Sequence, residues 1–92
     1  MPALTLFVTG TAPRSQRARA NLVHMLEQLG RSNIRPYEID LLEQPEQSIT
    51  HSVFATPSLL RTSDTGAVSV LYGDLSDEDA LRRFLADLPI DS

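Results

Sequence analysis

The period of the apolar positions changes along this chain, and each change marks an element. Leu4, Leu6, Phe7 and Val8 form a short apolar run that ends at Gly10, which predicts a buried strand over Ala3–Thr9. Gly10 to Ser15 then reads as a strand-to-helix turn. Either Pro13 occupies the first helical turn, where its missing N–H is harmless, or Ser15 caps a helix that starts after it. Ala18, Leu22, Met25, Leu26 and Leu29 recur at helical spacing, with Arg17, Arg19, Glu27 and Gln28 off the stripe, so an amphipathic helix follows. Gly30 stands where a helix end favours positive φ. Alternation of Tyr37, Ile39 and Leu41 predicts a strand over Ile34–Leu41, with Pro36 at its start or on a sheet edge. Pro45 opens a short helix whose inner side would carry Ile49 and Val53.

The second half turns on the stretch Val53-Phe54-Ala55-Thr56-Pro57-Ser58-Leu59-Leu60, read as a helix end, a Thr-Pro joint and a buried strand. A cis bond at that joint is expected, because X–Pro bonds tolerate cis and folded chains use it in tight turns. Ser63-Asp64-Thr65-Gly66 is turn chemistry, so Ser58–Arg61 and Ala67–Tyr72 form a hairpin. Gly73-Asp74-Leu75 breaks the last strand, and Ser76-Asp77-Glu78-Asp79 resembles a capping box with acidic side chains suited to the helix dipole. Leu81, Phe84, Leu85 and Leu88 give a closing helix, stopped by Pro89. The order βαβαββα predicts a single α/β domain over residues 1–92 with a thioredoxin-like fold.

Composition narrows what such a domain does. With 41% hydrophobic and 22% charged residues the chain has an ordinary globular balance. No apolar run nears the roughly 18 residues of a membrane helix, and the N-terminus lacks the basic region of a signal peptide, so a cytoplasmic protein is expected. A net charge of −4 argues against nucleic-acid binding. All eight basic residues are Arg, mostly in the first two-thirds, while Asp74, Asp77, Glu78, Asp79 and Asp87 crowd the last third. That asymmetry suits either a face that docks on an acidic protein surface or a plainly solvated one.

The chain contains no Cys, which removes thiol–disulfide exchange from a fold often used for it. Thr11-Ala12-Pro13-Arg14 occupies the frame of a redox Cys-x-x-Cys, and a threonine hydroxyl does not replace a thiolate. Ser15 could polarise a glutathione thiol, but a helix cap is the simpler reading. His24 and His51 have no partner at ligand spacing, so no metal is expected. Asp77, Glu78 and Asp79 are explained as helix-start electrostatics rather than acid–base catalysis. The four glycines are isolated and make no phosphate loop. No constellation assembles an active site, and neither an enzyme nor a cofactor is expected.

Four segments taken together resemble a known family. Leu4-Thr5-Leu6-Phe7-Val8-Thr9-Gly10 followed by Pro13, Ser15, Arg17 and Ala18 is similar to the opening signature of the KaiB clock proteins. Ile39-Asp40, Leu42 and Pro45 resemble their second strand and loop, and Ala55-Thr56-Pro57-Ser58-Leu59 and Gly73-Asp74-Leu75-Ser76 match two later signatures in order. The resemblance implies a non-enzymatic adaptor that binds a KaiC-type hexameric ATPase and regulates a clock, timer or stress output. A histidine kinase, a KaiA-like protein and homo-oligomerisation are the further associations it implies. It also implies a metamorphic family, whose alternative ground state rearranges the C-terminal half.

This chain departs from the family pattern at three places: the turn Thr62–Gly66 replaces a proline-rich segment, Phe84 and Ala86 stand where Gly and Asp are usual, and the acidic tail is missing. Each change is expected to favour the thioredoxin-like state, since Gly lowers helix propensity by about 0.8–1.0 kcal/mol relative to Ala. Phe84 and Ala86 are therefore the expected fold-state determinants. By the same resemblance Arg17 and Arg61 are the candidates for ring docking, the alternative being two solvent-facing charges. Gly10, Thr56, Pro57, Gly73 and Asp74 are read as backbone-shaping residues. Competing readings are a free-standing KaiB-like sensor module of a histidine-kinase pathway and a degenerate thioredoxin-fold glutathione or ligand binder.

Overall fold

The computed structural model describes residues 4–51, 53 and 55–86. Strand β1 (Leu4–Val8) is buried at every position, a pattern that demands a neighbour on each side and cover on both faces. It receives both. The four-stranded sheet runs β2-β1-β3-β4, with β2 (Tyr37–Asp40) parallel to β1, β3 (Ser58–Thr62) antiparallel to it, and β4 (Val68–Tyr72) antiparallel to β3. Phe7 lies opposite Ile39 on one side and Ser58 on the other, so alternate β1 side chains serve opposite faces.

On one face Leu4, Leu6, Val8 and Leu59 meet α1 (Pro13–Gln28) and α3 (Glu78–Leu85), through Ala18, Leu22, Met25, Leu26, Leu81 and Leu85. The helical stripe predicted for α1 is the face that is buried. Its end is closed by Gly30 at φ 70, with Gly30 N–H donating to the Glu27 carbonyl and Arg31 N–H to that of Leu26, both bonds of a Schellman motif. On the other face Phe7, Ile39, Val53 and Leu60 form a smaller cluster. Among the described residues only the five-residue α2 (Glu46–Thr50) lies near it, leaving an open groove of about 760 Å³ lined in part by Tyr37, Ile39, Gln47, Leu60 and Val68. The Thr56–Pro57 bond is cis, as expected.

Four local expectations are corrected. Ser15 does not cap α1: Pro13 starts the helix two residues earlier, Ala12 holds the N-cap position, and Ser15 is buried. Ile49 is 79% exposed rather than inward, because α2 ends at Thr50 before completing a second turn and only Val53, beyond it, reaches the core. The second strand spans Tyr37–Asp40, not Ile34–Leu41, since Pro36 cannot join a ladder and Tyr37 on the sheet edge stays half exposed. The cap of α3 is Asp77, one residue later than the capping box implied, with its Oδ1 accepting from Ala80 N–H at 3.1 Å. The helix Glu78–Leu85 covers the predicted stripe through Leu81, Phe84 and Leu85, while Leu88 and Pro89 lie outside the described residues.

Candidate functional site

Sheet register decides which of the singled-out residues meet. Because β1 is antiparallel to β3 and β3 to β4, the end of β1, the start of β3 and the end of β4 share one end of the sheet. Gly10, Thr56, Pro57, Gly73 and Asp74 come together there, beside the first turns of α1. The Thr9 and Thr56 hydroxyls hydrogen-bond each other. Gly73 N–H donates to the Pro57 carbonyl at 3.0 Å, which ties the cis-proline joint to the loop after β4. Thr9 N–H donates to the buried Ser15 Oγ at 3.0 Å, so the serine that sequence reasoning offered as a cap fastens α1 to the end of β1.

Gly10 takes φ 51, a left-handed conformation that L side chains seldom adopt. Two polar groups pin it there. Its N–H donates to Asp40 Oδ1 at 3.0 Å, and its carbonyl accepts from Arg19 Nη2 at 3.0 Å. Arg19 also holds Glu38 through Nε and Nη2 at 2.8 and 3.1 Å. The Leu42 and Gly10 N–H groups, with Arg19 nearby, hold the Asp40 carboxyl below its ordinary range.

The loop after β4 is clamped to α1. Arg17 Nε donates to Asp74 Oδ2 at 3.1 Å, and Asn21 Nδ2 donates to the Asp74 carbonyl at 2.9 Å. Arg17 and Asn21 are one helical turn apart and face the same way, a spacing that could have flagged Asn21 in the sequence. Leu75, which follows, is a non-glycine residue at φ 65 with its side chain buried among the α1 and α3 residues. Burying that leucine offsets a left-handed conformation costing about 1–2 kcal/mol. Nothing in the sequence pattern announced it.

Asp74 is held down to a pKa of about 2, first by hydrogen bonding from Ser76 and then by Arg17. A carboxyl with a depressed folded-state value contributes stability above its unfolded value near 3.9, lost as pH falls through the folded value. The clamp's contribution to stability is therefore expected to be full at pH 5 and to fall away between about pH 4 and pH 2, the ion pair itself opening only near pH 2. A carboxyl-detected NMR titration in which Asp74 titrates near 4 would contradict this.

Arg61 lies elsewhere. It is paired with Leu4, so it sits toward the other end of β3, about 10 Å along the strand from Ser58. Its Nη1 donates to the Phe84 carbonyl at 2.7 Å, anchoring the last turn of α3. Thus Arg17 and Arg61, the two docking candidates, occupy different ends of the molecule, and each holds an internal contact. Phe84 packs partly buried against the core, and Ala86, exposed, is the C-terminal cap of α3.

Among the described residues no group of acidic, His or Cys side chains could hold a metal ion, and no helix is long and apolar enough to cross a membrane.

Against this geometry the family comparison is direct. The model of the KaiB domain matches residues 5–86, which takes in all of the sheet but Leu4 and all three helices. The chain belongs to the KaiB family. It is 34% identical over 76 residues to the circadian clock oscillator protein KaiB of Acaryochloris marina, covering 83% of this chain and 72% of that one. The KaiB3 circadian clock protein of Synechocystis is 29% identical over 76 residues, covering 83% and 74%. In solved structures the fold is thioredoxin-like. Mitochondrial thioredoxin 3 of Saccharomyces cerevisiae superposes with a TM-score of 0.72 at 19% identity, over 92% of this chain and 76% of that one. The N-terminal domain of Synechococcus elongatus SasA superposes with a TM-score of 0.70 at 27% identity, over 92% and 83%. This KaiB-family chain thus has a thioredoxin-like sheet with no thiol.

Proposed function

We propose that this KaiB-family protein is a non-enzymatic adaptor that docks on a KaiC-type hexameric ATPase and regulates a clock, timer or stress-signalling output. The observation that carries the reading is the family match over residues 5–86. It is supported by the absence of cysteine and by an end of the sheet whose polar groups bond one another rather than converging on a reacting atom. A cytoplasmic location goes with this reading. In this reading Gly10, Thr56, Pro57, Gly73 and Asp74 shape the backbone of one end of the sheet, where Arg17 presents its charge, and Arg61 is a second, separate contact at the opposite end.

Capture of the full chain by the KaiC-type ATPase of the same organism, with and without ATP, tests the proposal. Nucleotide-dependent capture is expected. Arg17→Glu and Arg61→Glu should each weaken it roughly tenfold, equivalent to about 1.4 kcal/mol. Asp74→Ala separates a direct role of Arg17 from the clamp, since equal weakening by both would mean that Arg17 acts through Asp74. Unchanged binding in both arginine variants discards them as docking residues.

A second reading is a KaiB-like sensor module of a histidine-kinase pathway. The likeness to the SasA N-terminal domain supports it. Capture of a kinase of the same organism with no capture of the ATPase would favour it.

A further inference from the structure

The two edges of the sheet differ in chemistry. Strand β2 follows Pro36 and carries Glu38 and Asp40, and charge and proline of this kind discourage edge-to-edge pairing. Strand β4, Val68-Ser69-Val70-Leu71-Tyr72, has neither a charge nor a proline, and no strand pairs with its outer side among the described residues. Val68 is 57% and Tyr72 50% exposed.

The hydrogen-bond phase of β4 follows from its ends. Gly73 N–H donates to the Pro57 carbonyl, and Ser63 N–H donates to the Ala67 carbonyl. In an antiparallel ladder alternate residues bond the neighbour, so Ala67, Ser69, Leu71 and Gly73 face β3. The N–H and C=O groups of Val68, Val70 and Tyr72 therefore point outward. Their side chains share the sheet face of Leu60, where Val70 packs against the Phe7 cluster and Val68 lines the open groove.

We infer that the outer edge of β4 pairs antiparallel with β4 of a second copy of this chain, about a two-fold axis at Val70, to make one continuous sheet. The strand fits itself. With the axis at Val70, the outward groups of Val70 meet those of Val70 in the second copy, and Val68 meets Tyr72. Each such pair exchanges two N–H···O bonds. Valine beside tyrosine across strands is a favourable same-face pair. No like charges fall opposite one another, because Asp74 of one copy faces Gly66 of the other and Asp64 faces Ser76. A chain of net charge −4 otherwise resists association with itself, so an uncharged self-complementary edge is where a second copy fits.

The helices agree with this axis. On the sheet's other face, α3 starts just after the Gly73–Asp74 loop and ends where the Phe84 carbonyl meets Arg61, so it runs back along β4. The two-fold turns the two α3 helices antiparallel. The acidic first turn of one, Glu78 and Asp79, then lies level with the basic last turn of the other, Arg82 and Arg83. One strand edge buries less area than a standard stable interface, so association on the order of tens of micromolar is expected.

Sedimentation equilibrium of the full chain across that range tests the inference. The mass should rise from 10.2 kDa toward twice that value. Val70→Lys sets two ammonium groups face to face at the axis and should hold the chain at monomer mass, with its circular dichroism unchanged. Because the chain has no cysteine, Val70→Cys carries its sole thiol at the axis. The roughly 5.5 Å between Cα atoms of such a pair is compatible with a disulfide, so mild oxidation should give a covalent dimer, while Asp64→Cys in the turn should not. A wild-type chain that stays monomeric at roughly 0.5 mM, well above the expected dissociation constant, overturns the inference. So does a dimer that survives in folded Val70→Lys. Should Val70→Lys fail to fold, the cross-link decides: no covalent dimer from Val70→Cys, or as much from Asp64→Cys, overturns it.

Discussion

Replacing Phe7 with Ala is expected to destabilise the protein by about 3–5 kcal/mol, the usual range for a fully buried phenylalanine. Phe7 is 0% exposed, in the middle of a strand with neighbours on both sides, and it is the largest side chain of the cluster with Ile39, Val53 and Leu60. Its ring lies 5.4 Å from that of His51, so it also fixes the chain that follows α2. A domain of 92 residues has roughly 5–14 kcal/mol of stability in all, so this single change removes at least about a fifth of it. Side chains cannot collapse from above, because α2 is short and the neighbouring groove already stands open. Urea unfolding followed by far-ultraviolet circular dichroism measures the effect, and Phe7→Leu should be much milder, near 1 kcal/mol. A loss below about 1 kcal/mol for Phe7→Ala would mean that this face of the sheet is not a core in solution.

The second large effect concerns the fold state. Restoring the family pattern with Phe84→Gly and Ala86→Asp should weaken α3 selectively, by about 2–4 kcal/mol in sum. Glycine contributes about 1 kcal/mol of that through helix propensity, and loss of the partly buried ring about 1–2 kcal/mol. A carboxylate at the helix C-terminus adds about 0.3–1 kcal/mol by opposing the dipole. The effect stays local because α3 adjoins the rest through few groups: Leu81 and Leu85 in the core, the Leu75 corner, and the bond from Arg61 to the Phe84 carbonyl. Hydrogen exchange should show Glu78–Leu85 losing protection while β1 keeps its own. We propose that Phe84 and Ala86 hold this chain in the thioredoxin-like state, in which case the double variant should also give a second set of NMR resonances for the C-terminal half. Unchanged protection across α3 would remove both residues as determinants of the fold state.

Much of this protein was legible in its residues because the local signals agree. The stripe from Ala18 to Leu26 and the run Leu4–Val8 each state a period and a burial, and Gly30, Thr56-Pro57 and Asp77-Glu78-Asp79 mark ends by backbone chemistry that needs no distant partner. Element order and the cis joint follow from those alone, while the likeness to KaiB rests on the four signature segments and not on period or capping. Short apolar signals do not fix burial by themselves. Ile49 has an apolar side chain but no second turn of helix to carry it inward, and Tyr37 alternates correctly on a strand whose outer side pairs with no other strand among the described residues.

Tertiary structure decided the rest, since polar bonds between residues far apart leave no periodic trace. Ser15 looked like a cap until β1 brought Thr9 N–H to its hydroxyl. Arg17, by sequence a docking candidate or a solvent-facing charge, is met by Asp74 of the β4 loop across a separation of 57 residues. Arg61 likewise became the anchor of α3 only through the sheet. Which edge of the sheet is guarded was decided the same way: the residues of β2 and β4 carry their charges, or lack them, in the chain itself, but only strand order makes those two strands the edges.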